Sequence, residues 1–231
     1  MKIKILHLFA DYLNLYGDSA NIKAIEKYLN AQKIDYELIR HRYNEEIDLN
    51  DTDLIFIGCG TENNLASAYH KLLNYKDALK SYIALNKAIL LTGNAAILFS
   101  NQRLKLFDYD IENFNRYAYE AILSANFTKE LMIGFFNGEY RIKDNKQYLF
   151  KLEIQNQNKL NFEYDGYQYQ NFYASSFIGP ILVRNYQFLD HLMKKIILNK
   201  DPNFPIKELD FKLEKKALGQ YLKDYYKINQ A

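Results

Sequence analysis

Short apolar runs alternate with longer stretches of helical periodicity over the first hundred residues, the pattern of strands threaded between amphipathic helices. Ile3–Phe9 reads as a first strand, and the polar turn Asn14-Leu15-Tyr16-Gly17-Asp18-Ser19 follows it. From about Asn21 to Ala31, Ile22, Ile25, Tyr28 and Leu29 fall on one helical face. Tyr36–Arg40 alternates as a strand, and Asp53–Gly58 reads as a buried one that closes on Gly58-Cys59-Gly60. Asn64–Leu85 predicts a long helical stretch. Ala88–Leu91 then reads as a strand buried on both faces, broken at Thr92-Gly93-Asn94 and resumed as a helical segment from Ala95 to Phe99. Strands and helices at this spacing predict a parallel sheet covered on both sides.

Beyond residue 104 the texture changes to strand-like pieces: Tyr119–Ala125, Leu131–Phe136, Gln147–Glu153, Leu160–Tyr164 and Asn171–Ala174. Two helices close the chain, near Tyr186–Leu198 and Phe211–Tyr226, with the break Asp201-Pro-Asn-Phe-Pro205 between them. The expectation is one α/β domain over residues 1–231. It has a mostly parallel, flavodoxin-like sheet flanked by helices, added antiparallel strands, and a C-terminal helical segment at about 206–228.

Composition narrows the picture only modestly. At 231 residues and 48% hydrophobic content the chain can bury a substantial core. A formal charge of +2 gives no reason to expect nucleic acid. The single cysteine, Cys59, excludes an internal disulfide and fits a reducing compartment. A charged residue interrupts the first apolar run, and neither a signal peptide nor an 18-residue apolar span follows. A soluble, cytoplasmic protein without an integral membrane segment is therefore expected.

The chemistry concentrates at the ends of the buried strands. Gly58, Gly60 and Gly93 sit at predicted carboxyl ends, where an open α/β sheet places its ligand crevice. The unit at 88–100 is strand, tight turn, helix, a geometry that lifts one side chain above the sheet and aims backbone N–H groups at it. An enzyme puts its nucleophile at such a turn, and here the turn carries Thr92.

Three segments in order resemble the class I glutamine amidotransferases, closest to the GatD type, the small subunit of lipid II isoglutaminyl synthase, related to the amidotransferase domain of cobyric acid synthase. Leu13-Asn-Leu-Tyr-Gly-Asp18 with Asn21-Ile22 resembles the family's Leu-Asn-Leu-Tyr-Gly-Asp-x-Gly-Asn-Ile opening. Ile55-Phe-Ile-Gly-Cys-Gly-Thr61 stands where the family has a Gly-Gly-Gly loop. Ser176-Phe-Ile-Gly-Pro-Ile-Leu182 is similar to Tyr-Leu-His-Gly-Pro-Leu-Leu, and Gly134-Phe-Phe-Asn137 is a weaker echo of Gly-Phe-Glu-Asn-His.

That resemblance implies a cysteine nucleophile activated by a histidine, with backbone N–H groups holding the tetrahedral oxyanion. The family's elbow Cys-Gly-Gly-Tyr-Gln corresponds to Thr92-Gly-Asn-Ala-Ala96, so the nucleophile position falls on Thr92; the base position falls on Ile178. Both reacting groups are replaced. A thiol with a pKa of about 8.5 supplies thiolate near neutrality, whereas a threonine hydroxyl needs an adjacent base. The elbow residue also takes positive φ, which β-branched residues disfavour, so the backbone at Thr92 is expected to be relaxed or strained. Gly60 and Gly93 remain candidate N–H donors. Asn115-Arg116 resembles a pair that GatD proteins place near the substrate glutamine, where Arg116 would clamp a carboxylate; the alternative is an ordinary surface arginine.

Other signals are weaker. Cys59 invites a nucleophile role but belongs to the oxyanion loop by resemblance, and reads better as a small half-buried residue. Gly17-Asp18-Ser19 superficially matches a serine-esterase block, yet Asp190-His191 lacks the spacing such enzymes need. Neither a dinucleotide fingerprint nor a P-loop is present. His191 lies at the edge of a buried helix face, and no His/Cys/Asp/Glu cluster has metal spacing. The C-terminal lysines read as a solvated helix face that could dock a partner.

The leading expectation is a degenerate GatD-like domain without cofactor or metal, serving as a non-catalytic partner of a Mur-ligase-like (MurT-type) protein in cell-wall precursor amidation. One alternative is an active glutaminase using Thr92 or Cys59 unconventionally. Another is a binding module for glutamine or a similar small carboxylate.

Overall fold

The computed structural model describes residues 1–156 and 162–228. Its core is a six-stranded sheet built from β1 (Lys2–Leu8), β2 (Asp35–Arg40), β3 (Leu54–Ile57), β4 (Ala88–Thr92), β9 (Tyr167–Tyr169) and β10 (Phe172–Ser175). The spatial order is β2-β1-β3-β4-β10-β9, parallel throughout except for the β9–β10 pair. All four residues of β3 and all five of β4 are buried, as a central strand covered on both faces requires.

Two-residue periodicity divides these strands between two cores. Ile3, Ile5, Phe56, Leu90 and Tyr173 face α1 (Ser19–Gln32) and α5 (Tyr186–Lys200). Leu6, Leu8, Ile55, Ile57 and Leu91 face α2 (Glu62–Leu73) and α3 (Lys76–Ala84). The stretch expected as one helix from Asn64 to Leu85 is thus two. Tyr75 breaks it: its hydroxyl leaves the helical path to donate to the Glu46 carboxylate and accepts the Ile47 N–H at 3.3 Å, fastening the 46–47 loop.

The antiparallel strands form a second sheet of their own. β5 (Ile111–Ala125) and β6 (Thr128–Ile142) make a long hairpin, extended by β7 (Phe150–Asn156) and β8 (Tyr164–Asp165) in the order β6-β5-β7-β8. Both hairpin strands run well beyond the expected Tyr119–Ala125 and Leu131–Phe136. The expected strand at Leu160–Tyr164 begins outside the described residues. One face of this sheet joins the α1–α5 core through Tyr119, Ala121, Leu123 and Met132. On the other face Ile122 and Ile133 receive Leu218 and Leu222 from α6 (Lys212–Tyr221) and the π-turn that follows it. The short α4 (Ile181–Arg184) leads from the carboxyl end of β10 into α5.

Burial of charge ties the two sheets together. Arg141 on β6 is 1% exposed and donates to Glu112 and Asp144, each at 2.9 Å, and to the Tyr164 carbonyl. Its guanidinium also offsets part of the burial that pushes the fully enclosed Asp165 carboxyl above the usual range. Asp165 in turn accepts from Ser175 Oγ at 2.8 Å and from the Ser176 N–H, fixing the exit of β10. Removing the cation opens a cavity and takes the nearby positive charge from the enclosed Asp165, while the part-exposed Glu112 and Asp144 regain water, so Arg141→Ala is expected to cost about 3 kcal/mol in chemical denaturation. A loss below about 1 kcal/mol, the range of an exposed ion pair, would mean that this cluster does not hold the two sheets together.

Candidate functional site

Four loops meet at the carboxyl edge of the parallel sheet, the side where open α/β sheets hold ligands. They follow β1 (residues 9–18), β3 (Gly58-Cys59-Gly60), β4 (Gly93 onward) and β10 (Ser176–Gly179), and the outer half of β6 covers them from one side. Between them lies a crevice of about 190 Å3. Its walls include Tyr16, Cys59, Asn94, Arg116, Asn137 and Ile178.

Thr92 does not occupy the elbow. Its backbone is extended (φ −126, ψ 148), it is completely buried, and its hydroxyl donates to Asp18 Oδ2 at 2.8 Å beneath the crevice. The left-handed residue is the next one, Gly93, at φ +59. A β-branched threonine resists positive φ and a glycine does not, so the turn is made one residue later than the sequence comparison placed it. A Cβ built on Gly93 would lie 2.8 Å from Cys59 Cβ, 2.9 Å from Cys59 Sγ and 3.2 Å from Ile178 Cγ2. Ile178 therefore does face the elbow, but the elbow has no side chain.

The two candidate oxyanion donors are also committed elsewhere. Gly93 N–H donates to the Phe177 carbonyl at 2.9 Å. Gly60 N–H donates to Asn94 Oδ1 at 3.0 Å, while Asn94 Nδ2 donates back to the Gly60 carbonyl at 2.6 Å. Arg116 stands at the mouth of the crevice, donating to Asn137 Oδ1 at 3.2 Å and to the Tyr16 hydroxyl at 3.4 Å. Tyr16 itself is left-handed at φ 57, a conformation that costs a non-glycine residue about 1–3 kcal/mol and persists only where its surroundings enforce it.

The histidines offer no catalytic base. No histidine lines the crevice. His7 lies in the sheet against the Phe56 ring, its pKa pushed down to about 4, chiefly by burial and then by Arg40. His191 stacks on Phe127 and is likewise lowered to about 4, chiefly by burial. Cys59 is 3% exposed, and burial, reinforced by the nearby Asp18 and Glu62 charges, pushes its thiol up to about 12. A thiol held that high offers almost no thiolate near neutrality. Among the described residues no group of His, Cys, Asp or Glu could hold a metal ion.

The fold belongs with proteins of known chemistry. A glutamine amidotransferase from Thermotoga maritima matches at a TM-score of 0.51 and 13% identity, over 96% of this chain and 92% of that one. A second glutamine amidotransferase structure matches at 0.55 and 16%, over 84% and 98%. No family model matches the sequence. Among curated proteins, the GatD subunit of the glutamine-hydrolysing lipid II isoglutaminyl synthase of Staphylococcus aureus is 26% identical over 227 residues, covering 94% of this chain and 93% of that protein. The corresponding subunit from Streptococcus pneumoniae is 25% identical over 215 residues, covering 84% and 82%. This chain is GatD-like, with a class I glutamine amidotransferase fold.

Several residues of the GatD-like site were not legible as functional. Asn94 falls where the family's elbow carries glycine, and a polar side chain at that position was the available signal. Tyr16 and Asn137 lay inside matched segments without a role attached. Asp18 read as part of a turn, yet it is fully buried and organises the site's floor. Its Oδ2 accepts the Cys59 N–H at 2.6 Å as well as the Thr92 hydroxyl, and its Oδ1 accepts from Asn21 at 3.3 Å. Burial raises its pKa from 3.8 to about 6, against the lowering effect of those hydrogen bonds.

A carboxyl raised on folding favours the folded state most below its unfolded pKa and loses that advantage as pH rises through the folded value. Relative to the non-titrating Asp18→Asn variant, the native chain should therefore gain about 3 kcal/mol between neutral pH and about pH 3, at 1.36 kcal/mol per unit. Paired denaturation curves at the two pH values measure this. An unchanged difference would place Asp18 in a more solvated setting.

Proposed function

We propose that this chain is a catalytically silent GatD-like subunit that serves a cytoplasmic lipid II-amidating assembly as a structural partner. The observation that carries the reading is the elbow. The left-handed position where a nucleophile belongs is Gly93, and the residue facing it is the aliphatic Ile178. Thr92 is no substitute, because its hydroxyl is spent on Asp18 in the buried floor. Acyl transfer needs a nucleophile and a base within hydrogen-bond reach of each other and open to the substrate; the one hydroxyl–carboxylate pair at the site, Thr92 with Asp18, is completely buried beneath the crevice. The curated relatives are named as subunits of a two-part synthase, which supports a partner. By resemblance that partner is a Mur-ligase-like protein of the MurT type, with the whole chain acting as one domain beside it.

A second reading draws on one feature. Arg116, Tyr16 and Asn137 still form a polar mouth to the crevice, and an arginine there suits a small carboxylate such as glutamine. Binding without turnover is compatible with the silent-subunit reading. The enzyme reading rests on Cys59, the one thiol at the site, and its burial and raised pKa oppose it.

The deciding experiment is ammonia release from glutamine by the chain purified with its ligase partner. The expected result is a rate equal to the partner alone. Release that disappears in Cys59→Ala would overturn the reading and name the nucleophile.

A further inference from the structure

We propose that the amide end of the crevice is filled from within, by the Asn94 carboxamide at the Gly60 peptide group and by the Cys59 side chain in the volume a residue-93 nucleophile would need. The proposal deepens the silent-subunit reading and depends on it for the identity of the site, but its geometry stands on its own.

Asn94 and Gly60 exchange two hydrogen bonds, the N–H donating to Oδ1 at 3.0 Å and Nδ2 donating to the carbonyl at 2.6 Å. A bound primary carboxamide would make the same pair with a peptide group. Asn94 directly follows the elbow glycine, so its amide is delivered without any cost of association. A free glutamine amide would have to displace it against that advantage. Beside it, any Cβ at residue 93 would sit under 3 Å from both Cys59 Cβ and Cys59 Sγ, and Ile178 Cγ2 closes the third side at 3.2 Å.

Cys59 has no room to withdraw. Its N–H is held by the buried Asp18 carboxylate at 2.6 Å, and its carbonyl accepts the Leu15 N–H at 2.8 Å. The loop after β3 is thereby fixed against the turn after β4 by contacts within the chain. A site that carries its own occupant weakens any glutamine amide that must displace it, so a partner meets chiefly the self-filled surface. It follows that restoring cysteine at 93 and histidine at 178 would not by itself reopen the site; Cys59 and Asn94 must also be cut back.

The test is a thermal-unfolding cycle on the full chain with Gly93→Ala, Cys59→Gly and the double variant. Left-handed strain at residue 93 is common to both backgrounds and cancels. Overpacking in a fixed site costs about 1–3 kcal/mol, or roughly 2–12 °C in a chain of this size. Gly93→Ala should therefore lower Tm by that much more in the native background than with Cys59→Gly. Equal losses in both backgrounds overturn the proposal.

Should the alanine variants not fold, amide hydrogen exchange decides. The Gly60 N–H should exchange at least tenfold faster in Asn94→Gly than in the native chain, and an unchanged rate overturns the proposal. Glutaminase assays bear on the earlier reading alone, so the two can fail separately.

Discussion

A single buried carboxylate sets the arrangement at the carboxyl edge of the sheet. Asp18, at the entry to α1, receives the Cys59 N–H from the loop after β3 and the Thr92 hydroxyl from the end of β4. Three separate stretches of chain converge on it, and burying it carries an electrostatic cost that the raised pKa expresses. Because Thr92 is held from below, the chain turns only at Gly93. Because Cys59 is held at its backbone, its side chain stays against that glycine. The positions of the elbow, the loop facing it and the space between them follow from this one contact.

On the proposed silent-subunit reading, the protein keeps the loop architecture of an amidotransferase fold around an elbow that carries no side chain. The β3 and β4 loops still meet at the sheet's edge, and Arg116 still stands at the mouth. What a tetrahedral intermediate would need is engaged internally: Gly60 N–H by Asn94 and Gly93 N–H by Phe177. Such internal pairing leaves few buried polar groups at the crevice without a partner. Buried polar groups left without partners cost free energy, and a neighbouring side chain satisfies them more cheaply than an ordered water. Fold and chemistry are separable in this sense, since stability rests on the two cores and on the Arg141–Asp165 cluster.

Most of the fold was legible because its strands are short, apolar and bounded by glycine or polar turns. The parallel order around β3 and β4 follows from runs such as Leu54–Ile57 and Ala88–Leu91, whose burial on both faces leaves no alternation. The second sheet was less legible. β5 and β6 carry long, half-exposed stretches such as Asn113–Tyr117, where polar and aromatic residues blur the two-residue period. The break at Tyr75 depends on the Glu46 and Ile47 contacts, which no local pattern announces.

The site was half legible. Ile178 and Arg116 do line the crevice, whereas Thr92 was placed on the elbow by matching threonine to cysteine at one position. The sign of φ corrected that by a single residue, and sequence spacing does not carry it. Asn94 escaped notice for a related reason: its importance lies in a partner 34 residues away.

Covalent trapping examines the central claim, the absence of a reactive nucleophile, most directly. The chain, alone and in complex with the ligase-type partner proposed for it, would be incubated with an electrophilic glutamine analogue such as acivicin and weighed intact. An unmodified mass for this subunit is the predicted result. A stoichiometric adduct that maps to Cys59 would contradict it, showing that the buried thiol is reached and activated after all.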